Sequence, residues 1–396
     1  MSIDTLSPEP VREALAPTGT GDIGVGRPLD SFWPRFGSEL LRSLRAQSIF
    51  IVIVLTHVLA ALLLPAWFGV SIPYSATTYI TTMVGVTAIA AAAFMVAYTA
   101  AVVLAVKPSR LLPYIWTEMT GRMLPVERLA QALLLLAIFP VFAATFSYFK
   151  IAIPAFNPFS WDIRLADWDR SLHGGLDPWE LMQPLLGHPF VTAALNAAYH
   201  AWFGVTYGAI LWLMVDTQRP RLCMRYLLTF VLIWILLGNL AATVFSSAGP
   251  VYYGRVTGVA DQFAPLMGYL HAANHVVAVP ALDVQELLWH WYKSGSFVAG
   301  AGISAMPSLH VGVAFSFFLV CRAIDGRLAL AAGIFAAITL VASVHLGWHY
   351  AIDGYAAIVG AWFIWIAVGR LLELPAVVRL LWGEEGTPTS TAASLI

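Results

Sequence analysis

Charge is what this 396-residue sequence has least of. Only 11% of its residues are Asp, Glu, Lys or Arg, against roughly 25% in an average soluble protein, and that excludes an ordinary water-soluble domain. Excess of one sign is missing too. With 21 basic against 22 acidic residues there is no positive field to grip a phosphodiester backbone, so nucleic acid is not expected as a partner. Cysteine is almost absent: Cys223 and Cys321 are too few for a disulfide framework, and neither has a soft metal ligand near it in sequence. What is there instead is apolar bulk. Hydrophobic residues make up 59% of the chain, with 15 Trp, 14 Tyr and 22 Phe, and the mean hydropathy is +0.77. The expected solvent is a lipid bilayer.

Runs long enough to cross about 30 Å of hydrocarbon occupy residues 48–69, 76–105, 127–148, 190–215, 222–246, 305–324, 326–347 and 350–375. None alternates with period two, so the expected fold is all-α, a polytopic membrane bundle of about eight helices, and not a barrel. Residues 1–47 are polar, rich in Pro and Gly and without the features of a signal peptide, and read as a cytoplasmic, disordered tail. Residues 376–396 read as a second cytoplasmic tail.

An even number of crossings puts both termini on one side. Sixteen of the 21 Lys and Arg residues then fall on that side, and Lys150, Arg164, Arg170, Arg255 and Lys293 on the other. The positive-inside rule makes the termini cytoplasmic in an inner, or plasma, membrane. The two long connections, 149–189 and 247–304, would then face outward. In the first, Trp161, Leu165, Trp168 and Leu172 recur at helical spacing, which fits either a helix lying at headgroup depth or one packed on its own bundle. The second carries SSAGPVYYGRV from Ser246 and three histidines. Loops of this length in a compact bundle are usually functional.

Two short motifs carry the chemistry. In GAGISAMPSLHVGVAF, Pro307 begins a helix and His310 lies one turn in, so free amides, the Ser308 hydroxyl and an imidazole converge where an anion could bind. In HLGWHYAIDG, His345, His349 and Asp353 follow at intervals of four, one helical face. Asp353 can accept a hydrogen bond from one nitrogen of His349, fixing its tautomer and freeing the other nitrogen. The expected topology brings both motifs to the outer face.

AMPSLH, followed 39 residues after its histidine by His349 and then by Asp353, resembles the second and third signatures of the type 2 phosphatidic acid phosphatase superfamily. It is similar in particular to the inositol phosphorylceramide synthase branch, the aureobasidin-resistance proteins. The resemblance implies a six-helix catalytic core, here residues 127–375, preceded by two extra helices and a linker in 48–126. It also implies roles: His349 attacks phosphorus to give a phosphohistidine, Asp353 orients it, His310 protonates the departing oxygen and Ser308 helps hold the phosphate. Membrane lipids would be donor and probable acceptor, with no cofactor and no metal.

The superfamily's first signature, a lysine followed by arginine-proline, is not found on the outer face, and Ser343 stands where a phosphate-binding arginine is usual. A phosphate in a water-poor site needs cationic partners, and Arg255, then Lys293, are the sequence's nominees. The same catalytic residues serve a lipid phosphate phosphatase, and the two long covering loops favour transfer over hydrolysis. A zinc site built from His310, His345 and His349 is a weaker alternative, since Leu346 occupies the position where HExxH holds its glutamate. So is a transporter, because His57 and His200 are the only ionisable residues well inside a span.

Overall fold

The computed structural model describes residues 32–67, 77–216, 218–296 and 298–383. Among these residues the ordered elements are all helical. They are α1 (Phe32–Ala46), α2 (Ser48–Trp67), α3 (Thr77–Ala101), α4 (Leu111–Glu118), α5 (Val126–Phe156), α6 (Asp162–Leu172), α7 (Pro178–Leu186) and α8 (Pro189–Val215). The chain continues through α9 (Pro220–Val244), which has a π-helical stretch at Ile233–Ala241, then α10 (Ala264–Val276) and α11 (Ala281–Ser294). It closes with α12 (Leu309–Arg322), α13 (Gly326–His345), α14 (Ala351–Glu373) and α15 (Pro375–Trp382).

Among the described residues, five helices are long and apolar enough to cross a membrane: α3 with its π-helical end, α5, α9, α13 and α14. A sixth forms if α1 and α2, bent by 66° at Gln47, count as one span. The chain is an integral membrane protein. Large apolar side chains such as Leu330, Ile334, Val359 and Phe363 stand exposed on α13 and α14, a surface only lipid would cover at acceptable cost. Two further expected spans differ from the rest. Thr192, Asn196 and His200 on α8 dilute its apolar character, and α12 has only 14 residues, about 21 Å of helix. Pro307 stands outside α12, which starts at Leu309 after Ser308 in the N-cap position, with β-region dihedrals and no side-chain capping bond.

The short α12 is central. It packs against α8, α9, α13 and α14, while α5 packs against α8 and α9. The shared core includes Phe142, Phe230, Val231, Val313, Val320 and Trp365, and its burial holds the bundle together. Gly354 on α14 packs directly against the Leu340 side chain of α13.

Part of the expected tail is ordered. Residues 32–46 form α1, with Phe32, Phe36 and Leu40 along its half-buried face. It packs on α5 and α15. Arg45 donates from Nε to the Leu380 carbonyl at 2.8 Å and from Nη2 to that of Arg379 at 2.7 Å, tying the two expected tails to each other. The polar composition obscured an apolar stripe one residue in four wide. Residues 1–31 and 384–396, the rest of those tails, lie outside the described residues.

Candidate active site

The long connections are helical covers. On α6, Asp162, Leu165, Ala166 and Asp169 face the bundle and are buried, whereas Trp168 and Leu172 are exposed. The helix therefore packs on its own bundle, and two carboxylates decide which face turns inward. Asp162 accepts hydrogen bonds from the amides of Ala248 (3.1 and 2.9 Å) and Gly249 (2.8 Å) and from the Tyr350 hydroxyl (2.9 Å). Asp169 accepts from the amides of Ala351 (2.9 Å) and Ile352 (3.0 Å), the otherwise unpaired start of α14. Burial raises the pKa of both carboxyls, and burial together with Asp162 raises that of the Tyr350 phenol. Tyr350 is thus held as the hydrogen-bond donor.

These contacts fix the turn between α13 and α14. Gln285 of α11 donates to the Leu346 carbonyl at 2.9 Å, and Val251 N–H to that of Gly347 at 2.9 Å. Gly249, at φ +93°, lies so close to this turn that a Cβ would come within 2.5 Å of the Trp348 carbonyl oxygen. His349, held between these supports, is buried, and its Nδ1 lies 3.2 Å from Asp353 Oδ2. The same Oδ2 accepts from Tyr350 N–H at 3.0 Å, and Oδ1 is buried without a partner. An Nδ1–H shared with a carboxylate leaves Nε2 of His349 as the free, nucleophilic nitrogen.

The second motif is joined to the first through the main chain. Ser308 N–H donates to the Asp353 carbonyl at 3.1 Å, and the Ser308 hydroxyl is buried and unpartnered. Ser247 braces the approach, accepting from Ala305 N–H at its carbonyl (2.9 Å) and from Met306 N–H at its hydroxyl (3.1 Å). His310 sits in an aromatic recess on α8. Tyr199 stacks on it at 4.6 Å, the Trp202 ring is 4.3 Å away, and the Trp202 indole donates to the His310 carbonyl at 2.9 Å.

Ser308, His310, His349 and Asp353 are therefore brought together. Of the nominated cations, Arg255 is ion-paired with Glu286 and lies 5.2 Å from the Trp289 ring centroid, and Lys293 is exposed at the end of α11. His345 turns away from the pair, its Nε2 2.9 Å from the Thr192 hydroxyl, and no three His, Cys, Asp or Glu side chains among the described residues are placed to hold a metal ion. His57, an ionisable residue inside a span, is hydrogen-bonded to Asn239 in the π-helical stretch of α9 at 3.1 Å. A cavity of about 800 Å³ lies at the opposite end of α5 and α9, between Arg45, Gln131 and Tyr226, and shares no residue with this site.

A sequence model described as the PAP2 superfamily matches residues 163–368, more than half of the chain. The chain belongs to the PAP2 superfamily. Its membership makes the protein an enzyme of the phosphatase or phosphotransferase class. The PAP2 match begins inside α6, so it spans both motifs and both covers and leaves α1 to α5 outside. Comparison with curated proteins and with solved structures returned no match.

Sequence reading missed Asp162, Asp169, Tyr350, Tyr199 and Trp202. Signals for some were present. Asp162 and Asp169 are seven residues apart, two turns along one face of α6, and YHAWF in α8 is an aromatic run around a histidine. Neither pattern tells which distant amide or ring it will meet.

Proposed function

We propose that this PAP2 protein is a membrane lipid phosphotransferase that works through a phosphohistidine on His349, in the manner of the inositol phosphorylceramide synthase branch. The observation that carries the reading is the joining of the two motifs: Ser308 N–H on the Asp353 carbonyl, and Asp353 on His349. Nε2 of His349 attacks the headgroup phosphorus, and the bond from phosphorus to the leaving oxygen breaks. His310 gives that oxygen its proton. The Ser308 hydroxyl hydrogen-bonds a phosphate oxygen. In the second half the acceptor hydroxyl loses its proton to His310 and attacks phosphorus, and His349 departs as neutral imidazole.

Transfer is preferred to hydrolysis because four helices, α6, α7, α10 and α11, cover the motifs. A phosphohistidine open to water at about 55 M is hydrolysed unless the acceptor is held in line and water kept out. Donor and acceptor are membrane lipids, reaching the site by lateral diffusion. The site faces the extracytoplasmic side with both termini in the cytoplasm, a reading supported by the sixteen-to-five split of basic residues. Eight crossings follow if α8 and the short α12 are counted with the six spans above, and residues 127–375 form the catalytic core.

The test supplies a phospholipid labelled in its headgroup together with ceramide, diacylglycerol or inositol-type acceptors. Label moving to an acceptor supports transfer. Phosphate or a water-soluble phosphoester released at one rate, with or without every acceptor, would leave a lipid phosphatase.

A further inference from the structure

The cavity of about 800 Å³ at the far end of α5 and α9 has the size of a small-molecule site. It is walled in part by α1 and α15, which the family match does not reach. Leu135, Ile210, Met224 and Trp382 give it apolar surface. Ile210 also lines a narrow slot among Phe139, Phe203 and Phe230, and exposed Phe203 continues that apolar path to the lipid-facing surface. Four charged side chains share the wall, two acidic and two basic, and each is engaged within the fold. Arg42 is paired with Glu39 at 2.7 Å, Glu127 with Arg35 at 3.4 Å, and Arg45 donates to the two carbonyls of α15. An anionic headgroup would have to break one of these contacts or enter without a counter-charge, so an uncharged ligand is favoured.

One lining group is left wanting a donor. Gln47, at the bend between α1 and α2, is 3% exposed, and its Oε1 is buried with no hydrogen-bond partner. We propose that this cavity is a second lipid site, which binds an uncharged lipid alcohol of the diacylglycerol or ceramide kind. The alcohol donates its hydroxyl hydrogen bond to Gln47 Oε1, and its alkyl chains lie against Leu135, Ile210 and Met224. Water alone could satisfy Gln47, but an apolar wall this large is better covered by an amphiphile. The half-buried Trp382 suits headgroup depth, on the bundle end away from the motifs. Removing or transferring a lipid phosphate frees just such an alcohol, so the site can hold a lipid of the product's chemistry. The assignment does not depend on the phosphotransfer reading.

The experiment photolyses diacylglycerol, ceramide and phosphatidic acid probes, each with a diazirine in one acyl chain, on the full chain in bilayer discs, and maps the labelled peptides by mass spectrometry. Diacylglycerol or ceramide, whichever is preferred, should label α1 and the start of α9, and the same unlabelled lipid should compete. Phosphatidic acid should label them ~5-fold less or weaker still, as should the alcohol probes in Gln47→Leu with the melting temperature held. Gln47→Glu, which keeps an acceptor oxygen, should retain more label than Gln47→Leu. Ser43→Trp, which fills the cavity, should abolish the labelling. Absence of competable label would mean that the cavity holds only water and would overturn the proposal. So would equal labelling by phosphatidic acid, the mark of ordinary bilayer contact, or full labelling of both Gln47→Leu and Ser43→Trp.

Discussion

At the residue scale, the proposed mechanism gives His349, Asp353 and His310 separable duties, and their variants should separate too. His349→Ala is expected to lose turnover by roughly 10⁴-fold or more, since no other group can accept the phosphoryl group. Asp353→Asn keeps the shape but can present an amide to Nδ1 and favour the wrong tautomer, a change worth about 10²–10⁴-fold in kcat. His310→Ala should fall comparably on a lipid alkoxide leaving group and far less on a nitrophenyl ester, whose oxygen departs without a proton; equal losses on both would remove His310 from acid catalysis. As a candidate site these residues were readable in the sequence, because such chemistry needs fixed types at fixed helical spacing. The residues that hold them were not. Asp162 and Asp169 act on amides up to 183 positions away, and only the folded chain shows which.

Asp162 also makes a pH-dependent prediction. Burial holds its carboxyl above the ordinary 3.8, so the folded chain binds this proton more tightly than the unfolded chain does. The stability drawn from Asp162 is then fully present below about that value and declines as pH rises through the folded pKa. The melting-temperature advantage of wild type over Asp162→Asn should therefore shrink between low pH and neutrality. An advantage that grows with pH would show that hydrogen bonding to the carboxylate outweighs its desolvation.

At the scale of elements, the site is a junction of helix ends: the starts of α12 and α14 and the end of α13, clamped by α6 from outside. Asp169→Ala should uncap α14 at a cost of about 1–2 kcal/mol, read as a lower melting temperature and as faster amide exchange at Ala351 and Ile352. Gly249→Ala should do more damage, because its Cβ would meet the Trp348 carbonyl and its φ is one that L side chains rarely adopt. A loss of about 1–3 kcal/mol is expected from the overlap alone. The bundle class and the order of helices could be read from the apolar runs. The sequence places the start of α12 at Pro307, but the helix begins at Leu309, where the Ser308 amide is taken by the Asp353 carbonyl, a tertiary contact that no local pattern shows. Composition likewise hid α1, whose apolar stripe is diluted by charge.

Across the whole molecule, the proposed orientation puts both termini in the cytoplasm and the motifs and their covers outside. A cysteine introduced at Val256, in the cover on the motif face, should react with an impermeant reagent added from outside intact cells. Reaction only from the cytoplasm would invert the orientation proposed for the site. The proposed mechanism turns on one chemical event, the covalent capture of a headgroup phosphate by His349. It can be observed directly by quenching the enzyme within milliseconds of mixing with a phospholipid labelled at phosphorus. Acid-labile, base-stable label on the wild-type protein is expected, absent from His349→Ala and discharged faster when an acceptor lipid is added. Turnover with no label at any quench time, or equal label in His349→Ala, would contradict it.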